Sequence, residues 1–416
     1  MLRRFVTSNR TTFISSSAVT ACSYRAYTSQ GLDFLLNPTP EHAALRETLQ
    51  KFGAERVAPQ AREFNDVRKT FNHDLFRELV DLGMIAMTIP EEDGGAGLDA
   101  TAVTIASHEL CKYDPAFVLS AFAHSILFIN NFYYSATKEQ RDKYLPEAIK
   151  GNLIGGMAMS EAHAGTDVLN MKTTAKRDGE NGDYVLNGSK TWITNAPTGD
   201  LFIVYAQNLT EKGNISSFLV EKGMKGFTQG PPIEKVGMGA SPTGPLYFDN
   251  VRVPVENMIS GKPNGLVGMM RNLEIERVLL AAMSVGIADQ CVDLMIKYAN
   301  ERKSFGKPLT AFGQIQRYIG ESFAKTEAAK CLTYAVARTV QPGNQNRIGT
   351  DAAKLFASPV GKEVADNAIQ VMGGMGYSRD MPVERLWRDA KLLEIGGGTL
   401  EAHHKNLVKD LSAAFK

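Results

Sequence analysis

A chain of 416 residues can fold as two or three domains around substantial cores. Its 46 Lys and Arg stand against 45 Asp and Glu, and the net charge of +1 sets up no field for a polyanion, which argues against nucleic acid as a partner. Cys22, Cys111, Cys291 and Cys331 are scattered without a CxxC pair or zinc-ligand spacing, so they read as reduced thiols of an intracellular compartment and not as a metal site.

Residues 1–30 stand apart. Arg3, Arg4, Arg10 and Arg25 lie among Ser and Thr, and no acidic residue precedes Asp33. This is the composition of a mitochondrial transit peptide, with a plain N-terminal extension as the other reading. It places the mature protein in the mitochondrial matrix. No later run reaches the ~18 uninterrupted apolar residues of a membrane span. The best, 278–296, is broken by Asp289 and Asp293.

From 38 to 152 the pattern is helical: Leu45, Leu49 and Phe52 recur at helical spacing, as do Leu75, Leu79 and Leu82 before a stop at Gly83. Thr137 and Gln140 have the spacing of a capping box, and 90–97 is a loop by composition. From 153 to 262 the period shortens. Residues 184–193 read as a hairpin around Asn187-Gly188, and 201–206, 217–220 and 246–253 as further strands of a compact antiparallel barrel or sandwich. From 265 to 416 four long helices, 268–300, 312–340, 349–372 and 400–414, suggest an antiparallel bundle. Helices, strands, then helices make an α+β protein, not a doubly wound sheet. With no G-x-G-x-x-G after a strand and no Walker-type lysine loop, a nucleotide cofactor would bind without a Rossmann unit.

Three stretches carry chemistry. In Met157-Ala-Met159-Ser160-Glu161-Ala162-His163-Ala164-Gly165-Thr166-Asp167, small residues and hydroxyls supply donors to a polar ring edge, although the same composition suits an ordinary polar turn. Glu301-Arg302-Lys303-Ser304-Phe305-Gly306 joins two long helices. Between Gln370 and Thr399, Gly373-Gly374-x-Gly376 and Gly396-Gly397-Gly398 flank a segment dense in Arg and Asp, where backbone amides can approach a ligand closely. His403 and His404 are adjacent on a helix and point in different directions, which disfavours a metal pair.

Gln370, Gly373, Gly374, Gly376, Tyr377, Asp380, Arg385 and Asp389 together resemble the C-terminal signature of the acyl-CoA dehydrogenases. The segment at 157–167 resembles the N-terminal signature, Trp192-Ile193-Thr194 follows at the family's distance, and Arg302 to Gly306 matches its R-x-x-F-G motif. The likeness runs from about residue 40 to the C-terminus. It implies an N-terminal helical domain, a middle β-barrel and a C-terminal four-helix bundle. It also implies FAD, held by Met157, Met159, Ser160, Gly165, Thr166, Trp192, Ile193 and Thr194. Ser160 and Thr194 would bond the flavin pyrimidine edge, with Trp192 beside the ring; an ordinary core tryptophan is the alternative. Arg302, Phe305, Gln370, Gly373, Gly374, Thr399 and Glu401 would complete the FAD site partly across a subunit boundary, which implies a homotetramer built as a dimer of dimers. Thr166, Tyr205, Ala206, Glu274, Arg277, Gly397 and Gly398 would contact the acyl-CoA, and electron-transfer flavoprotein would accept the electrons.

Desaturation of a thioester needs a base for the α-proton, a hydride acceptor and donors on the thioester oxygen. Most family members carry the base in a Y-E-G-T loop, where this chain has Gly396-Gly397-Gly398-Thr399. Leu273-Glu274-Ile275-Glu276-Arg277 resembles instead the segment that carries a relocated base in the isovaleryl-CoA and long-chain members, which places the base at Glu276. A salt bridge to a neighbouring Arg is the other reading of that acid. Glu274, roughly 200° round the helix, would face CoA or solvent. The resemblance implies oxidation of isovaleryl-CoA to 3-methylcrotonyl-CoA in leucine catabolism, since glycine at 396 and 397 leaves width for a β-branch. Long-chain or other branched acyl-CoA, or a flavin oxidase or monooxygenase on the same scaffold, are the alternatives. Gly313, Gly239, Ala162 and the His403-His404 pair depart from the family pattern.

Overall fold

The computed structural model describes residues 33–179, 182–211, 214–341 and 346–415, so the transit-peptide reading of residues 1–30 lies outside the described residues. The first layer is helical. α1 (Pro40–Phe52) begins where the Thr39 side chain accepts from the His42 N–H, and wider turns continue it to Arg68. α2 (His73–Asp81) is capped by Asn72 and followed by Gly83 at φ +75°, a conformation glycine adopts without strain. α3 (Ala100–Cys111) is buried on every face. α4 (Pro115–Phe122) also runs on in wider turns, to Ser135. α5 (Lys138–Ile149) opens on a complete capping box, in which Thr137 Oγ1 accepts from Gln140 N–H and Gln140 Oε1 from Thr137 N–H.

The sheet comprises β1 (Gly155–Ala158), β2 (Thr174–Arg177), β3 (Tyr184–Thr194), β4 (Leu201–Asn208), β5 (Asn214–Glu221), β6 (Phe227–Gln229) and β7 (Thr243–Val253). Their order is β1-β4-β2-β3-β7-β6, with β5 on the other edge of β4. The sheet is mixed, not wholly antiparallel. β1 and β2 share one edge of β4 and both run parallel to it, because residues 159–173 leave that edge and return to it without reversing the chain.

The hairpin expected at Asn187-Gly188 is absent: β3 is one 11-residue strand. Its pairing with β7 slips between Leu186 and Gly188, and Gly188 sits at φ +141°, where a Cβ would lie 2.7 Å from Thr173. Asn-Gly serves a bulge here, a use that also demands glycine where another backbone approaches closely. A second slip falls between Lys190 and Ile193, around Trp192 at φ +61°.

α6 (Gly265–Glu301) has 37 residues and is buried almost continuously from Val278 to Ala288. It packs against α3, α7 (Gly313–Ala337) and α8 (Arg347–Met372). α9 (Val383–Leu393) rests on α6 and α8, and α10 (Leu400–Ala414) on α8. Two described helices, Pro115–Ser135 and Gly265–Glu301, are long and apolar enough to cross a membrane by composition. Their apolar windows are 83% and 72% buried inside the protein, as core helices are.

Candidate active site

Where β1 ends, Met159 and Ser160 carry the chain out to Glu161, which folds back into the interior. Glu161 accepts from the N–H groups of Lys172 (2.6 Å) and Thr173 (3.0 Å) and from Lys190 Nζ (2.8 Å). Lys190, on β3, also donates to the Met159 carbonyl at 3.0 Å, and Thr191 N–H to the Ser160 carbonyl at 2.9 Å. Burial pushes Lys190 down to about 8 despite Glu161. Burial also opposes ionisation of Glu161, but bonds from Lys190 and Thr173 prevail and hold it at about 2. The pair thus pins the segment 159–161 to β3. Trp192, one bulge further on, is 60% exposed, so it is not a core tryptophan. Ile193 turns inward, while Gly165 and Thr166 are exposed and Thr194 half-buried. Met157 is half-buried, its sulfur accepting from Asn131 Nδ2 at 3.4 Å.

Glu276 projects from α6 and is 8% exposed, with no partner for Oε2 among the described residues. Burial pushes it up to about 7, outweighing the pull of Arg277 and Lys354. Arg277 does not neutralise it by direct bonding, because its Nη1 donates to Asp351 at 3.3 Å. Glu274 faces neither solvent nor open cleft: it is buried, and Oε2 accepts from the Asn346 N–H at 2.9 Å, where α8 begins. That acid is committed to a helix start, a long-range contact that its spacing from Glu276 does not reveal. Tyr205 and Ala206 on β4 are buried too, with Tyr205 Oη accepting from Asn131 Nδ2 at 2.9 Å, so neither side chain is presented to a ligand.

The glycine turn closes the site. Gly397 (φ +66°) and Gly398 (φ +102°) are both left-handed. A Cβ on Gly397 would stand 2.3 Å from Leu280 Cδ1 and 3.5 Å from Glu276 Oε1. The carboxylate of α6 therefore reaches the spot where a side chain at 397 would begin. Behind the turn, Lys354 and His403 both contact the Gly398 carbonyl (2.6 and 3.1 Å). Neither is legible in sequence as a site residue, since their partners lie 44 and 5 residues away on a segment without side chains. His403 points inward to Asp351 while His404 is exposed, and no metal cluster occurs among the described residues.

Sequence reasoning also misses Arg271. It lines a cleft at the start of α6 with Tyr134, Ser135, Ser217 and Gly268, donating to Ser135 Oγ at 2.8 Å.

The remaining predicted residues lie on the surface. Arg302 is exposed, and Phe305 is 92% exposed at φ +50° in a short hairpin. Arg302 lies 26 positions beyond Glu276, roughly 39 Å along the helix, so the two cannot act on one small group within one chain. Gln370, Gly373 and Gly374 are exposed at the end of α8, with nothing within 4 Å of a Cβ built on either glycine. Thr399 caps α10 by accepting from Ala402 N–H at 3.3 Å, and Glu401 is exposed in its first turn. By contrast Arg385 and Asp389 are interior: Arg385 Nη2 donates to the Tyr113 carbonyl at 3.3 Å, and Asp389 accepts from the Met238 N–H. Arg385 and Asp389 are thus held by structural contacts within that glycine-rich stretch.

Gly239 has a reason of its own. A Cβ there would lie 2.0 Å from the Asn65 backbone carbonyl, so the loop before β7 meets the end of the α1 extension with no room for a side chain. Gly239→Ala is expected to destabilise the protein by about 1–3 kcal/mol, read as a lower thermal midpoint at unchanged FAD loading. Gly313, in contrast, is open at the start of α7.

Domain models of the acyl-CoA dehydrogenase family match the chain throughout: the N-terminal domain at residues 39–152, the middle domain at 156–251 and the C-terminal domain at 264–411. A mitochondrial isovaleryl-CoA dehydrogenase of Solanum tuberosum is 37% identical over 370 residues, covering 88% of this chain and 89% of that one. A mitochondrial 2-methylacyl-CoA dehydrogenase of the same plant is 36% identical over 406 residues, covering 95% and 97%. The structure of butyryl-CoA dehydrogenase from Megasphaera elsdenii superposes with a TM-score of 0.84 at 33% identity, covering 88% of this chain and 98% of that one. The chain belongs to the acyl-CoA dehydrogenase family, whose members are FAD-dependent oxidoreductases of acyl-CoA thioesters.

Proposed function

We propose that this enzyme dehydrogenates a short branched acyl-CoA, isovaleryl-CoA, with Glu276 as the base that removes the α-proton. One observation carries the assignment: Glu276 Oε1 lies 3.5 Å from the Cβ position of residue 397, where most of the family places its catalytic acid. Burial supplies the matching basicity, raising the carboxyl to about 7, near the pH at which it must work. The residues present fit FAD. Trp192 is held outward at a positive-φ bulge, and Gly165, Gly373 and Gly374 leave open space where side chains would block a flat ring or a diphosphate. FAD, when bound, accepts the β-hydrogen as hydride. Ser160 and Thr194 would bond its ring edge. Arg302, whose guanidinium suits a diphosphate, would reach the cofactor of a neighbouring subunit.

On this reading the Gly397 N–H donates to the thioester oxygen, and the Arg271 cleft receives the polar part of CoA. Leu280 and the bare Gly396-Gly397 backbone leave width for a β-branch. A homotetramer, electron transfer to electron-transfer flavoprotein, and residence in the mitochondrial matrix after loss of residues 1–30 complete the proposal. The mitochondrial isovaleryl-CoA dehydrogenase relative supports both the substrate and the location.

Purified enzyme should be yellow. In anaerobic titration, isovaleryl-CoA should bleach the flavin at lower concentration than 2-methylbutyryl-, butyryl- or palmitoyl-CoA. Bleaching by palmitoyl-CoA but not isovaleryl-CoA would overturn the substrate; peroxide formation without an electron-transfer partner would turn the reading to an oxidase.

A further inference from the structure

Two successive left-handed glycines, Gly397 and Gly398, have no side chains with which to anchor themselves. The protein anchors them from behind instead. The Gly398 carbonyl accepts from Lys354 Nζ at 2.6 Å, and His403 Nε2 lies 3.1 Å from the same oxygen. Lys354, on α8, and His403, on α10, are 0% and 1% exposed. His403 Nδ1 faces one oxygen of Asp351, whose other oxygen accepts from Arg277, the residue after Glu276. The imidazole thus meets an acceptor at each nitrogen, a carboxylate at one and a carbonyl at the other. Lys354 is equally unusual, since its nearest bonded acceptor is a neutral backbone carbonyl although burial disfavours its charge.

We propose that Lys354 and His403 are positioning residues for the dehydrogenation: by gripping the Gly398 carbonyl they fix the Gly397 N–H, one residue earlier, against the substrate thioester oxygen. The inference rests on the reading of Glu276 and Gly397 given above. Neither residue touches substrate. Each removes freedom from a turn whose amide has to meet an oxygen within a few tenths of an ångström.

The test compares Lys354→Met, His403→Asn and His403→Gln in the FAD-loaded enzyme, with isovaleryl-CoA and a dye acceptor. Lys354→Met and His403→Asn should each lower kcat about tenfold, while KM and flavin content move by less than about twofold. His403→Gln, whose longer amide reaches the carbonyl, should recover most of the loss. The double variant Lys354→Met/His403→Asn should lose less than the product of the singles, because both donors act on one oxygen. Wild-type kcat in both singles overturns the proposal, as does a kcat that falls only in proportion to lost flavin. Should Lys354→Met not fold, the His403→Asn and His403→Gln pair decides by the same criteria. Glu276→Gln separates the two levels. If it turns over normally, the functional reading falls. If it is inactive while Lys354→Met and His403→Asn run at the wild-type rate, the grip alone falls.

Discussion

Glu276→Gln is expected to lower the rate of flavin reduction by about 10³-fold while leaving the enzyme yellow and able to bind acyl-CoA. The amide keeps the shape of the side chain but cannot take a proton. Glu274 cannot substitute, being buried and bonded to the Asn346 N–H, and residue 397 is glycine. The same variant has a stability signature. The Glu276 carboxyl is raised from 4.5 to about 7, so the folded state resists its ionisation. The unfolded chain ionises first, and wild-type stability therefore falls as pH rises from about 4.5 to about 7, by roughly 3 to 3.5 kcal/mol in all. Glu276→Gln should lack that decline and be the more stable protein above pH 7. Thermal unfolding at several pH values, without acyl-CoA, reads the difference. Equal midpoints at pH 8 would mean that Glu276 is not buried as described.

Lys190→Met should have the second large effect, and through a different route. It removes one member of a fully buried ion pair and leaves Glu161 with its two N–H donors and, as its remaining basic neighbour, only the exposed His163 imidazole at 3.4 Å. Such truncations cost about 3–5 kcal/mol. If residues 159–161 line the FAD site as proposed, the loss also reaches the cofactor, because Lys190 holds the Met159 carbonyl and thereby the course of that segment. The variant should purify with little flavin and a lowered thermal midpoint. Adding Glu161→Gln should restore part of the stability, since it removes the charge left without Lys190 although its NH2 then faces one of the two N–H donors, yet flavin retention should recover less. Full flavin content in Lys190→Met alone would show that the pair does not shape this loop.

How far the sequence reads depends on whether a partner is near in the chain. The Thr137–Gln140 capping box and the Gly83 stop are legible because both partners lie within one turn. The long helices are legible from their periodicity, and the acid at 276 stands out because it precedes an apolar run. Asn187-Gly188 misleads for a physical reason: a tight turn and a bulge ask the same backbone freedom of glycine, and only the Thr173 and β7 contacts tell them apart. The parallel edges of the sheet are hidden likewise, since they follow from the excursion of residues 159–173 and not from strand composition. Glu274 is misread because Asn346 is 72 residues away. Lys354, Asp351 and His403 carry no local pattern at all. They matter through a backbone carbonyl, which no residue alphabet records.

The pH dependence of single-turnover flavin reduction by isovaleryl-CoA bears most directly on the claim that a buried α6 carboxylate replaces the missing loop acid. The rate at low substrate, proportional to kcat/KM, should rise with pH and level off with an inflection near 7, and Glu276→Gln should show neither the rise nor the rate. A flat profile in the wild type, or reduction of Glu276→Gln at the wild-type rate, would contradict the account.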